Sequence, residues 1–415
     1  MQNENIKKII ITVTIILLIV GIFSYFIFFN KENNNDQSSD NIGSFPVDEV
    51  QNISLGNDWG NLGNNPDYLN NQDPNNPIPI LRKISDNPVA GAIIFKQTIE
   101  KDDFYTIRYM EKMTGHIYET KTNSLTLERI SNKTIPKINT TTWLDENTLF
   151  FNYLDNDVIK TYSATLTSNA TSTNMDLDGV YLQDNIQNIT YINDDLFYLV
   201  DSGSNSDVIL TDIENTKPKQ LFTSPLREWG IDNIDDRRIA FTTKSTENIL
   251  GYLFIYDSIT KKFSKILGKR TNLSTLLNED LDILYSQNTK LGLTLSLYDF
   301  ESETNTDLPI RTFPEKCVWG KDTPNLYCGI PSQKIYNYSL ENWYKGNILF
   351  SDEIWSINTE TNKPIKIVSL TDSEGWGIDA TQLQITDKDD YLIFINKKDF
   401  SLWGLQVFSG TLAGE

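Results

Sequence analysis

The stretch TTWLDENTLFF, Thr141–Phe151, joins a short apolar segment to an acidic turn and then to a strand of aromatic and branched residues. Two short alternating runs around Asp/Asn-type turn residues read as a β-hairpin. The same pattern returns as ITYINDDLFYL (Ile189–Leu199), DNIDDRRIAF (Asp232–Phe241), TLLNEDLDILY (Thr275–Tyr285), CVWGKDTPNLYC (Cys317–Cys328) and LQITDKDDYLIF (Leu383–Phe394). Aligned on Trp143, Tyr191, Ile234, Leu277, Trp319 and Ile385, the copies lie 48, 43, 43, 42 and 66 residues apart. A second hairpin follows, as in YLFIYDSITKKFSKIL (Tyr252–Leu267), TLSLYDFESETNTDLPI (Thr294–Ile310) and EIWSINTETNKPIKIV (Glu353–Val368). Two hairpins per unit at such a period make one four-stranded blade of a β-propeller.

Working outward, Val89–Ser131 fits a further first blade, and the last unit stops after three strands near Val407. The segment IPILRKIS (Ile78–Ser85) resembles outer strands such as PIKIVSL (Pro364–Leu370). It is expected to supply the missing fourth strand and remove an exposed edge. The fold class is therefore all-β, a single propeller over residues 78–408 with seven blades, six and eight being the neighbouring counts. A pair of β-sandwiches is the alternative, disfavoured by the near-constant spacing.

The remainder of the chain is of a different kind. Ile9–Phe29 (IIITVTIILLIVGIFSYFIFF) is 21 residues without a charge. At about 1.5 Å per helical residue it reaches roughly 31 Å, the thickness of a bilayer core. Lys7 and Lys8 precede it, which orients the N-terminus to the cytoplasm and the rest outward. A cleaved signal peptide is the rival reading, but its apolar region would be shorter and followed by small residues. The expectation is a single-pass cell-membrane protein, with residues 1–8 cytoplasmic, 9–29 spanning, 30–77 a polar tether and 409–415 a tail. The tether is rich in Asn, Asp, Gly, Ser and Pro, with Trp59 and Tyr68 as candidates for docking onto the domain.

Of the 415 residues, 36 are Lys or Arg and 56 are Asp or Glu, a net charge of −20. A surface this acidic repels phosphate backbones, so nucleic acid is not expected as a partner. One histidine, His116, and two cysteines leave few soft ligands, and neither a metal nor a cofactor is expected. His116 lies in no nucleophile-elbow context and reads as a packing residue beside a turn. Asn174-Met-Asp176-Leu-Asp178-Gly179 echoes a calcium loop without its terminal glutamate, and reads as a connection between blades. Centring the sixth hairpin on Asp322–Thr323 sets Cys317 opposite Cys328 and Trp319 opposite Leu326. Opposed Cβ atoms stand about 4.5–5.5 Å apart, which suits a structural cross-strand disulfide.

Aromatic residues supply the candidate binding site. Trp-Gly-Ile-Asp occurs at Trp229–Asp232 and at Trp376–Asp379, each read as just preceding an inner strand. Blade six carries the insertion PSQKIYNYSLENWYKGNILF, with Tyr336, Tyr338, Trp343 and Tyr344. Connections into a blade and between its middle strands share one propeller face. Trp229, Asp232, Trp343, Tyr344, Trp376 and Asp379 are thus expected to form a recognition surface there. The competing reading is that the tryptophans pack between blades.

Several phrases also resemble a known family: LRKISDNPVAGAIIF (Leu81–Phe95), TGHIYETKTNSLTLERISNKTIPKI (Thr114–Ile138), IKTYSATL (Ile159–Leu166), KCVWGKDTPNLYCGIP (Lys316–Pro331) and WYKGNILFSDEIWSI (Trp343–Ile357). They resemble single-pass, membrane-anchored propellers of ultrasmall, host-associated bacteria, an architecture similar to the Tol-system and WD-repeat-like propellers. That resemblance implies a fold and an anchor. It supplies no catalytic residue, and the Gly-His and Trp-Asp signature of true WD repeats is not repeated here. The expected function is a non-catalytic binding module of the cell envelope for a protein or glycan. The alternatives are an envelope hydrolase or lyase using channel carboxylates, and a structural subunit of an envelope complex.

Overall fold

The computed structural model describes residues 78–99, 102–168, 174–193, 195–290, 292–333, 339–371 and 375–407. The apolar span Ile9–Phe29, the tether with Trp59 and Tyr68, the tail, and Tyr336 and Tyr338 lie outside the described residues. Among the described residues no helix is long and apolar enough to cross a membrane.

Strands β1 to β28 form seven four-stranded sheets. Blades one to six span residues 89–131, 138–181, 186–224, 229–270, 274–307 and 317–369. Blade seven joins 380–406 to β1 (Leu81–Ser85), which pairs with β28 (Leu402–Gln406) through Leu81↔Leu405, Arg82↔Gly404 and Lys83↔Trp403. The N-terminal strand therefore closes the ring, as the Ile78–Ser85 resemblance indicated. Seven is the blade number.

Each blade interface holds its own apolar cluster. Blades seven and one meet through Ile107, Tyr109, Ile393 and Leu402, and blades two and three through Phe150, Ile186, Leu196 and Tyr198. Strand alternation explains this, because successive side chains of one strand face opposite neighbouring blades. An eighth cluster, of Leu293, Phe313, Leu340, Trp343 and Phe350, lies under the blade-six insertion.

Cys317 pairs with Cys328 and Trp319 with Leu326 across the sixth hairpin, and the two cysteines form a disulfide. Their sulfurs are buried at the interface of blades five and six. The calcium-loop-like segment is placed differently from its sequence reading. Met175–Tyr181 is β9, the outer strand of blade two, not a connection. An extended strand spreads its carboxylates along its length instead of wrapping them around an ion. His116 directly precedes β4 (Ile117–Lys121), its Nε2 3.1 Å from the Thr134 hydroxyl.

Candidate functional site

Inner strands set out from one face of the ring, called the upper face here. The connection between the second and third strands of a blade returns to the same face. In blade six that connection is residues 332–351, between β23 (Asn325–Pro331) and β24 (Asp352–Asn358). It contains the short helix α1 (Leu340–Tyr344), capped by the Ser339 side chain, which accepts the Asn342 backbone N–H. Leu340 and Trp343 point down and are buried, Trp343 lying 5.5 Å from the Phe313 ring.

Beneath Trp343 is a charged group with no solvent exposure. The Lys316 ammonium donates to Asp352 Oδ2 at 2.7 Å and also to Asp379 Oδ1. Asp379 Oδ2 accepts the Trp343 indole N–H and the Phe350 backbone N–H, each at 3.0 Å. Asp352 Oδ2 also accepts the Ala380 backbone N–H at 2.7 Å. Lys316 sits 5.3 Å from the Trp343 ring centroid and 5.2 Å from that of Phe350, within cation–π range. Two carboxylates against one ammonium leave an excess negative charge, and Asp352 Oδ1 has no partner. Burial pushes the Asp352 carboxyl up to about 6, with Asp379 adding to the rise and Lys316 opposing it. Lys397, 4.9 Å from the Trp343 ring, is lowered by burial.

A second acidic group lies beside it. Glu315 accepts the Tyr344 hydroxyl on one oxygen and the Ser274 hydroxyl on the other. Asp232, on the inner strand β14 (Trp229–Asn233), belongs to the same electrostatic neighbourhood. Its side chain is open to solvent, yet protein crowds it, and this desolvation together with the Glu315 charge pushes its carboxyl up to about 6. Burial likewise raises Glu315, although Ser274 and Tyr344 oppose the rise. The Tyr344 ring is 40% exposed, yet protein crowds its hydroxyl, and this desolvation together with the Glu315 charge holds it well above the usual phenol value.

The candidate residues from the sequence divide accordingly. Tyr344 and Asp232 reach the upper surface, but Trp343 and Asp379, 2% and 0% exposed, are buried beneath the insertion and form no part of the recognition surface expected of them. Trp229 is a correction. It is the first residue of β14 itself, 5% exposed, with its ring 5.9 Å from Phe254 and its N–H donated to Leu226 O at 2.8 Å. The packing reading holds for Trp229. The second copy of the motif is out of step with the first, since Asp379 precedes β26 (Ala380–Ile385) whereas Asp232 lies inside β14. Trp376 consequently falls in the connection between blades and is 69% exposed. Lys316, Asp352 and Glu315 were missed, because nothing local marks a lysine whose partners are 36 and 63 residues away. Among the described residues no cluster of His, Cys, Asp or Glu fits a metal ion.

No family model matches the chain, and no curated protein does. Among solved structures it is similar to TolB from Acinetobacter baumannii, with 8% identity, a TM-score of 0.42, and coverage of 76% of this chain and 80% of that one. It is also similar to an oligogalacturonate lyase from Vibrio parahaemolyticus, with 11% identity, a TM-score of 0.47, and coverage of 78% and 99%. The RRP9 WD40 repeats give 8%, 0.47, 79% and 97% for the same quantities. These similarities carry no function across. The propeller stands on the chain's own strand order.

Proposed function

We propose that this chain is a membrane-tethered propeller, exposed outside the cytoplasm, that binds a protein or glycan of the cell envelope without catalysing a reaction. The supporting observation is the part of the blade-six insertion over residues 339–351. Its underside is fixed by Trp343, Phe350 and the buried charges, while Tyr344, Leu349 and the neighbouring Trp376 are exposed at 40%, 43% and 69%. A segment ordered in advance loses little freedom on binding, and large exposed aromatic side chains suit a partner surface. The anchor reading is supported by the uncharged Ile9–Phe29 span behind Lys7 and Lys8. Affinity capture of the full chain from its native cells tests the reading. A partner retained by the unaltered chain and lost with Tyr344→Ala/Trp376→Ala supports it, and identical capture by both overturns it. Protease added to intact cells or spheroplasts tests the topology, and a mature chain starting near Asn30 would count against the anchor.

One observation favours a second reading. Asp232 and Glu315 are neighbouring carboxyls, both raised, beside a tyrosine, and such pairs serve acid–base catalysis. An envelope hydrolase or lyase would lose turnover of a polysaccharide panel on Asp232→Asn. No turnover by the unaltered chain removes this reading.

A further inference from the structure

A cavity of about 520 Å³ is lined by the inner strands of blades one, two, three and seven and by residues of the second and third strands of blade two. That volume lies within the roughly 300–1,000 Å³ usual for small-molecule sites. In a chain of net charge −20, none of the residues lining it is charged. Its walls carry hydroxyl and amide groups between apolar side chains.

Strand β6 (Ile138–Trp143) reads INTTTW, and its alternation turns Thr140 and Thr142 to solvent while Thr141 is buried against Met110. Behind them, paired across β7 (Thr148–Asp155) and β8 (Val158–Ser168) of blade two, lie Asn152 and Thr161. Thr161 is 3% exposed, and both Thr161 Oγ1 and Asn152 Oδ1 are buried without a hydrogen-bond partner. Buried polar atoms are nearly always paired, so two orphans on one cavity wall mark a place where a ligand can supply the bond. On the blade-seven side of the cavity a bulge interrupts β26 between Thr381 and Gln384. Gln382 there adopts φ 53°, a left-handed conformation strained for a side chain of this kind, and is exposed. Its neighbour Gln384 is occupied elsewhere, its amide bridging Ala92 O at 2.7 Å and the Ile94 N–H at 3.2 Å.

We infer that this cavity binds a neutral sugar, one or two rings at the end of an oligosaccharide. A charged ligand would be desolvated without a counter-charge. A purely apolar one would leave the Thr161 and Asn152 oxygens unpaired. A pyranose matches both surfaces, setting its C–H faces against the half-buried Ile93 and Ile189 and its hydroxyls toward Thr140, Thr142, Asn152, Thr161 and Gln382. The site shares no residue with the upper-face cluster, so either can fail without the other.

The test is saturation-transfer NMR and calorimetry on the full chain in a sugar-free detergent. The probes are maltotriose, cellotriose and chitotriose, with trigalacturonate and a blocked neutral tripeptide as comparators. Binding of at least one neutral trisaccharide is expected, weakened about five- to tenfold by Thr161→Val and by Gln382→Ala. Thr161→Val removes an unpaired hydroxyl and should leave the unfolding temperature unchanged or higher, which separates lost binding from lost folding. The inference is overturned if no neutral sugar binds, if only the tripeptide or trigalacturonate binds, or if both variants bind the sugar as the unaltered chain does.

Discussion

Trp343 donates its indole N–H to Asp379 Oδ2 at 3.0 Å, so a helix in blade six is tied to the residue that leads into the inner strand of blade seven. The same carboxylate also pairs with Lys316 of the segment leading into blade six. Residues 339–351 of the insertion thus belong to the rigid body of the upper face. Trp343→Ala is expected to cost about 3–5 kcal/mol through the cavity it leaves. Asp379→Ala should cost about 2–4 kcal/mol by leaving the buried Trp343 indole N–H and Phe350 backbone N–H without their acceptor, while Lys316 keeps Asp352 as its partner. Denaturant unfolding of the full chain measures both, and an unchanged midpoint for Trp343→Ala would refute its buried role.

The Cys317–Cys328 bond closes a loop with a sequence separation of 11. For a loop of that length the chain-entropy account gives about 2–3 kcal/mol. Cys317→Ser/Cys328→Ser should lower stability by that amount, and a thiol reagent should label neither cysteine in the unfolded, unreduced chain. Two labelled thiols would exclude the bond.

The ring and this disulfide were legible for one reason: both depend on period and register, which are local. Counting back from Asp322–Thr323 sets Cys317 opposite Cys328 whatever lies around them. The upper-face cluster depends on which blades become neighbours and on strand phase. Trp-Gly-Ile-Asp reads identically at Trp229 and Trp376, yet one copy begins an inner strand and the other precedes one. A shift of that kind decides whether an indole enters the core or meets solvent. Lys316 was illegible for a related cause, because its two carboxylate partners reach it only once blades six and seven have docked.

Asp352 gives the fold a pH dependence of definite sign. Its carboxyl is raised by burial to about 6, above the unfolded value near 3.8, so the folded state holds the proton more tightly. The stability this provides is complete below about pH 4 and is lost as pH rises through about 6. Asp352→Asn cannot titrate. Relative to it, the unaltered chain should lose about 1–3 kcal/mol between pH 4 and pH 7. Parallel stability curves for the two proteins across that range would show that Asp352 does not carry the shift.

Trp229 and Trp376 share a four-residue motif and should respond oppositely to the same substitution. Trp229 is enclosed by Phe241 and Phe254, with its N–H satisfied by Leu226 O, so Trp229→Ala should cost about 3–5 kcal/mol. Trp376 is 69% exposed, and an exposed side chain outside the core usually changes stability by no more than about 0.5 kcal/mol when truncated. If the upper face recognises a partner, Trp376→Ala weakens capture at unchanged stability, and Tyr344→Ala weakens it further. Unfolding midpoints measured beside capture separate the two indoles. Equal destabilisation by both substitutions would place Trp376 in the core and remove it from the recognition surface.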